Sequence, residues 1–268
     1  TTICNGSTAT VTINGTPNSE VTYTDGTITF PAIVIPASGV YTFTHNGTAE
    51  GTVTYSLVGA TLGVCSQNTA NTATITVLPD LQGDIVSAST PICNGATSTI
   101  LFTGTPNSTI TLSDGTNTYS VPIDSSGNGS YTTTALTSNT TYTITNVSAT
   151  APVACSKVLS ESIEVIVQPL LTATITGSSP ICYNTQAILQ FTGTAGATVY
   201  FTDGTNNYQT TLNTSGNGSF TTPYLTSNTT YNLTTSSITS PISCSNAVSG
   251  SFTVVIVPLP VASVVIAT

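Results

Sequence analysis

Six cysteines, one histidine and a recurring aspartate are the residues of this 268-residue chain whose chemistry could be put to use. The cysteines, Cys4, Cys65, Cys93, Cys155, Cys182 and Cys244, are too dispersed to hold a metal, which needs clustered thiolates or nearby imidazoles. They read as a disulfide framework, which places the protein in an oxidising compartment outside the cytoplasm. His45 has no second histidine to work with and is expected to be a solvated loop residue. Asp25, Asp114 and Asp203 each precede a glycine between two apolar stretches, where Asp-Gly suits the dihedrals of a hairpin turn. A calcium site would want further carboxylates beside them, and none is near in sequence. Tyr119 and Tyr208 occupy matching positions and are the candidate glycan contacts, weighed against a core or edge role. Nothing here assembles a nucleophile with its base, so the chain is expected not to be an enzyme and to carry no cofactor and no metal.

These residues are placed by an internal repeat. "ICNGSTATVTINGTPNSEVTYTDGT" at Ile3 recurs as "ICNGATSTILFTGTPNSTITLSDGT" at Ile92 and as "ICYNTQAILQFTGTAGATVYFTDGT" at Ile181, each 89 residues after the last. "SGNGSYTTTALTSNTTYTI" at Ser126 likewise returns as "SGNGSFTTPYLTSNTTYNL" at Ser215. The first copy departs in its second half, so different middle loops are expected there. The expected modules are residues 1–79, which lack the first strand of the pattern, 80–169, and 170–258. Residues 259–268 open a further copy of it.

Apolar residues alternate with polar ones at period two, as in Ile100, Phe102 and Ile110, Leu112. Turn signals such as "GTPNS" and "SSGNGS" separate these stretches, so each reads as a half-buried strand. Ser and Thr make up about a third of the residues, which also favours strands and turns. The fold class is therefore all-β, three tandem immunoglobulin-like β-sandwich modules of about seven strands each, in an extended rod. Five sets of matching positions should point inward: Val11/Ile100/Leu189, Ile13/Phe102/Phe191, Val21/Ile110/Val199, Tyr55/Tyr142/Tyr231 and Val77/Val167/Ile256. The spacing of Leu136 to Tyr142, and of Leu225 to Tyr231, suggests the tyrosine corner of such sandwiches.

Each module holds one cysteine pair, so pairing of Cys4 with Cys65, Cys93 with Cys155 and Cys182 with Cys244 is the natural expectation. Five antiparallel strands separate the two members of a pair, however, and an odd number sets them at opposite poles. That parity instead favours Cys4 with Cys155 and Cys93 with Cys244. The long connection "SATAPVAC" could fold back and restore the first pattern.

Charge excludes several partners. One basic side chain, Lys157, against ten acids gives a formal charge of −9, so neither nucleic acid nor an anionic membrane surface has a cationic face to bind. The apolar run from Val254 to Ala267 is broken by Pro258, Pro260 and Ser263 and is too short to insert in a bilayer. A Lys in every module would be needed for isopeptide cross-links, which leaves sulfur as the covalent staple. Asn-x-Ser/Thr occurs eleven times, only slightly above chance, so glycosylation stays open.

The combination of "PIC", "FTGT", "TDGT", "LTSNTTY" and a cysteine before the last strand resembles the tandem immunoglobulin-like or PKD-like repeats of large surface proteins from gliding Bacteroidetes. That resemblance implies an extracellular, cell-surface stalk or filament, often an adhesin, with no catalytic residues. The tail "VPLPVASVVIAT" fits the same picture. Joined to "TTIC", it restores a joint between modules, with Pro258 fourteen residues before the next Cys4. The expected partners are therefore copies of this chain head to tail, through an assembly strand of Val261, Ala262, Ser263, Val264, Val265, Ile266, Ala267 and Thr268. Either one longer polypeptide continues the pattern or separate subunits donate the strand. A carbohydrate-binding array on a secreted protein, with surface glycans as partner, is the alternative.

Overall fold

The computed structural model describes residues 1–264; Val265, Ile266, Ala267 and Thr268 of the expected assembly strand lie outside the described residues. Within them every regular element is a β-strand. The first repeat carries β1 (Thr2–Ile3), β2 (Thr8–Asn14), β3 (Glu20–Thr24), β4 (Ile33–Val34), β5 (Val40–Asn46), β6 (Gly51–Leu62), β7 (Cys65–Asn68) and β8 (Thr72–Val77). The second carries β9 (Gly83–Ala88), β10 (Ile92–Cys93), β11 (Thr99–Gly104), β12 (Thr109–Ser113), β13 (Thr118–Pro122), β14 (Asn128–Thr132), β15 (Thr140–Ala149), β16 (Cys155–Val158), β17 (Ser162–Val165) and β18 (Val167–Gln168). The third carries β19 (Ala173–Gly177), β20 (Ile181–Cys182), β21 (Ile188–Gly193), β22 (Thr198–Thr202), β23 (Asn207–Thr211), β24 (Asn217–Thr221), β25 (Thr229–Ile238), β26 (Cys244–Ala247), β27 (Ser251–Val254) and β28 (Ile256–Val257).

The third repeat shows the architecture most completely. One sheet has the order β19-β21-β24; the other runs β23-β22-β25-β26, with β27 also on β25. Alternate residues of the two sheets, Ala173, Ile175, Leu189 and Phe191 from one and Val199, Phe201, Tyr231 and Val254 from the other, form one buried cluster. The Phe191 and Phe201 rings lie 4.7 Å apart across it. This is a β-sandwich of the immunoglobulin-like kind. The segment that follows the cysteine is divided. Around Gly250, whose φ of +154° suits glycine, it parts into β26 and β27, which pair with opposite ends of β25. A short parallel pair, β20 with β28, completes the edge and fixes the Cys182 backbone opposite Val257.

The second repeat has sheets ordered β14-β11-β9 and β13-β12-β15-β16, and the same parallel pair as β10-β18. In the first repeat one sheet is β1-β8-β6-β3-β4 with β7 on β6, whereas β2 pairs with β5 alone. A register shift recurs at one place in all three repeats, between Thr22/Tyr23, Thr111/Leu112 and Tyr200/Phe201, where a bulge turns the strand.

The chain falls into two compact units. One comprises Thr1–Ser87, Ile100–Tyr131 and Thr141–Ile163; the other Ala88–Thr99, Thr132–Thr140 and Glu164–Thr268. This division passes through the second repeat, and the boundaries after residues 79 and 169 remain readings of the sequence. Of the inward positions expected, all are buried except Tyr55 and Ile256, which are half-buried. The tyrosine corner is not built as expected. Leu225 and Tyr231 are buried, but the Tyr231 hydroxyl finds no hydrogen-bond partner, so the bond that defines a corner is missing.

Candidate functional site

The cysteines pair across repeats. Cys4 is bonded to Cys155 and Cys93 to Cys244, each with Cα atoms 5.6 Å apart and a sequence separation of 151. Pairing within repeats is thereby overturned, and the reason is the strand count. Between Cys182 and Cys244 run β21 to β25, five strands, so the chain finishes at the pole opposite to the one it left. The connection before Cys155 and Cys244 does not fold back. Two cysteines expected in disulfides, Cys65 and Cys182, are free thiols and exposed.

Beside each bond the second repeat and the third tie down the linker that enters them. Asn246, two residues after Cys244, accepts a hydrogen bond from the Leu171 N–H at 2.9 Å and donates to the Leu171 carbonyl at 3.0 Å. Lys157, two residues after Cys155, forms an ion pair with Asp80. Next along the linker, Gln82 and Thr172 exchange hydrogen bonds with Thr105 and Thr194 respectively, hydroxyl oxygens accepting at 2.9 and 3.0 Å. Gly104 and Gly193 must be glycines, because a Cβ there would run into the Gln82 and Thr172 carbonyls.

The first repeat has the same glycine and threonine, Gly15 and Thr16, but among the described residues no strand lies against them. The atoms nearest a Cβ at Gly15 would belong to the side chains of Ile35 and Ser19, not to a linker backbone. In the third repeat, β19 lies beside β21 and reaches over β25 and β27. The corresponding surface of the first repeat is a cleft of about 200 Å³ lined by Val11 and Ile13 of β2, Tyr55 and Leu57 of β6, and Ala73 of β8. A second hollow of about 410 Å³ continues it past Gly15, Thr16 and Val21 to Cys65 and Gln67. At the formed junction around Cys93 and Cys244, Pro169, Leu170 and Leu171 of the linker lie against Cys244 and Asn246, around a cavity of only about 30 Å³. The sequence read alone left the first repeat without its opening strand but did not name the residues that line this groove. The Gly-Thr shared by all three repeats is the signal that could have revealed it.

The expected assembly strand is visible in its first half. Residues 261–264 form no strand, and Val261 and Val264 are each 96% exposed. By alignment on Pro169 and Pro258, Ala262 and Val264 take the positions of the buried Ala173 and Ile175.

The other candidates are occupied internally. Asp25, Asp114 and Asp203 accept two backbone N–H bonds each on Oδ1. Those bonds to Ile28, Asn117 and Asn206 foremost hold the three carboxyls below the ordinary carboxylate range, Asp203 down to about 2. Tyr119 and Tyr208 donate their hydroxyls to Asp114 and Asp203 at 2.6 and 2.9 Å. Their rings lie against Tyr131 and Phe220, with centroids 4.7 and 5.0 Å away, so they are half-buried parts of the sandwich and not a free platform. His45 is in β5 and not in a loop; its Nδ1 meets the Tyr55 hydroxyl at 3.0 Å. Among the described residues no cluster of His, Cys, Asp and Glu could hold a metal ion, and no helix is long and apolar enough to cross a membrane.

No protein-family model matches the chain, and no curated protein matches it. Solved structures with similar folds include a marsupial T cell receptor, at 12% identity and a TM-score of 0.42 over 68% of this chain and 76% of that one. A protein described as membrane anchored from Corynebacterium diphtheriae aligns with 97% of this chain and 91% of its own, at 11% identity and a TM-score of 0.31. Trypsin-activated alpha-2-macroglobulin from Escherichia coli aligns with 93% of this chain at 11% identity and a TM-score of 0.26, and the match covers only 23% of that protein. By its own strand order and core the chain is an all-β protein of immunoglobulin-like sandwiches, and its two disulfides fit a secreted or surface-exposed setting.

Proposed function

We propose that this chain is a structural repeat unit of an extracellular filament or adhesin stalk, continued head to tail by copies of its own pattern. The observation that carries the reading is the groove of the first repeat, bounded by β2, β6 and β8. In the third repeat the corresponding surface is covered by β19, and the tail offers the sequence of just such a strand. Addition of an extended segment to an open sheet edge supplies main-chain bonds for affinity and pockets for alternate side chains. Here the pockets take Ala262 and Val264, and Thr16 is the partner for the residue before them. An unpaired edge left exposed would be a template for unwanted association, which its intended strand removes.

Deletion of residues 261–268 tests it. The intact chain should form head-to-tail oligomers in sedimentation and filaments by electron microscopy, and the deleted chain should stay folded and monomeric. Filaments persisting after the deletion overturn the proposal. Covalent and donated continuation are separated by the mass of native filaments after denaturation and reduction. A mass of 27.2 kDa means separate subunits, and a far larger one means a longer polypeptide. The glycan-binding alternative would need glycan-array binding that Tyr119→Ala and Tyr208→Ala abolish.

A further inference from the structure

We infer that Cys182 of one copy and Cys65 of the next form a disulfide that continues the ladder of cross-repeat bonds from copy to copy. The inference rests on the head-to-tail reading and adds a covalent clasp to it. Both existing bonds obey one rule: the first cysteine of a repeat joins the second cysteine of the repeat that follows. Applied along the chain, that rule leaves the second cysteine of the first repeat and the first cysteine of the third without partners, and these are the two exposed free thiols.

Both thiols sit in the same backbone frames as their bonded counterparts. Cys182 ends β20, held parallel to β28 opposite Val257, as Cys93 ends β10 opposite Gln168. Cys65 opens β7 and faces Leu62 of β6, as Cys244 opens β26 facing Ile238 and Cys155 opens β16 facing Ala149. Gln67, two residues after Cys65, holds the place from which Lys157 and Asn246 grip their linkers, and it lines the open hollow together with Cys65. Spacing agrees as well. Two copies written head to tail put Cys65 of the second 151 residues after Cys182 of the first, the separation of both existing bonds. Seating the tail in the groove would bring the two sulfurs together at high effective concentration.

The reaction is an oxidation and needs an acceptor, here an external disulfide of the glutathione class. The Cys65 thiolate attacks that disulfide, giving a mixed disulfide and one released thiolate. The Cys182 thiolate of the neighbouring copy then attacks the Cys65 sulfur and expels the second thiolate. Two protein thiols lose two protons and two electrons, and the external disulfide is reduced to two thiols.

Two complementary variants test the inference. Cys182→Ser keeps only Cys65 free, and Cys65→Ser keeps only Cys182. In a glutathione redox buffer each alone should run at 27.2 kDa without reductant, whereas their mixture should give a covalent dimer of twice that mass. The dimer should collapse on reduction and yield a Cys65–Cys182 peptide pair by mass spectrometry. The wild type should give a ladder. Covalent dimers of one variant with itself, or a mixture with none, overturn the clasp. Sedimentation of the wild type under reducing conditions distinguishes the two levels. Oligomers there, with no covalent ladder in the glutathione buffer, sink the clasp and keep head-to-tail association, while monomers alone under both conditions sink both.

Discussion

The first and third repeats share one sequence pattern, and the first has no counterpart of β19 among the described residues. In the third, β19 covers β21, and both sheets share one buried cluster that includes Tyr231. In the first, β2 has β5 on one side only, and the apolar interior is parted into two clusters. Ile3, Val11, Ile75 and Val77 lie in one, and Ile13, Val21, Tyr23 and Ile35 in the other. Tyr55, equivalent to the fully buried Tyr231, is only half-buried at the cleft between them. The difference teaches that the opening strand unifies the core as well as widening a sheet. A repeat without it keeps its fold but holds an unfilled place.

The sharpest way to break the comparison is to give the first repeat its strand. Fusing a second copy of residues 259–268 ahead of Thr1 should raise the stability of that repeat, because it buries a valine and adds ladder hydrogen bonds without the loss of freedom that association from solution costs. Thermal and urea unfolding measure it, and the fused chain should no longer accept the tail of another copy. An unchanged midpoint would mean that the groove is not the seat of this strand.

Next comes the same side-chain position in its two states. Ile175 is buried in β19, whereas Val264 at the matching position is exposed. Ile175→Ala should cost about 3 kcal/mol in the monomer, as large-to-small changes in a packed core do, and Val264→Ala should stay within about 0.5 kcal/mol. In assembled material the second substitution should become costly as well, read as a fall in the dissociation midpoint of oligomers.

Much of this was legible in the sequence because period-two patterning and an 89-residue repeat are local signals. Val11, Phe102 and Val199 could be assigned to the interior from alternation alone. The disulfide partners were not settled that way. Cysteine spacing within a repeat is compatible with two pairings, and only the direction in which β25 leaves the sandwich decides between them. His45 read as a solvated loop residue because it is a lone histidine without a repeat equivalent, yet it lies within β5, which runs to Asn46. Tyr119 and Tyr208, weighed between glycan contact and a core or edge role, could not be placed by sequence for another reason. A tyrosine at a turn can spend its hydroxyl on the turn's own aspartate, a contact that sequence offset does not announce.

A smaller effect distinguishes Tyr55 from Tyr231. The Tyr55 hydroxyl has a partner in His45 Nδ1, while the Tyr231 hydroxyl is buried with none, and burial foremost pushes its pKa up to about 12. Removing a bonded hydroxyl costs about 1 kcal/mol, whereas removing an unpartnered one is neutral or favourable. Tyr55→Phe should therefore destabilise, and Tyr231→Phe should leave the midpoint unchanged or raise it. Urea unfolding of the two variants side by side checks the order, and the reverse order would show that Tyr231 is hydrogen-bonded in solution.

The smallest expected difference is in acid. Asp203 is held at about 2 by the backbone N–H of Asn206 foremost, with Thr205 and Tyr208 adding bonds to the charged form, against an ordinary value of 3.8. A carboxyl lowered on folding contributes stability above its unfolded pKa and loses it as pH falls through the folded one, so this contribution is complete above about pH 4 and disappears towards pH 2. Asp25 of the first repeat accepts the same pair of backbone bonds but no tyrosine hydroxyl, because Phe30 stands where Tyr119 and Tyr208 do. Tyr208→Phe should thus move the Asp203 titration upward, towards 3.8, and leave that of Asp25 unchanged. Side-chain carboxyl NMR shifts followed from pH 6 to pH 1.5 would show it. An unmoved Asp203 would assign the whole depression to the turn backbone and make the two repeats electrostatically alike at this turn.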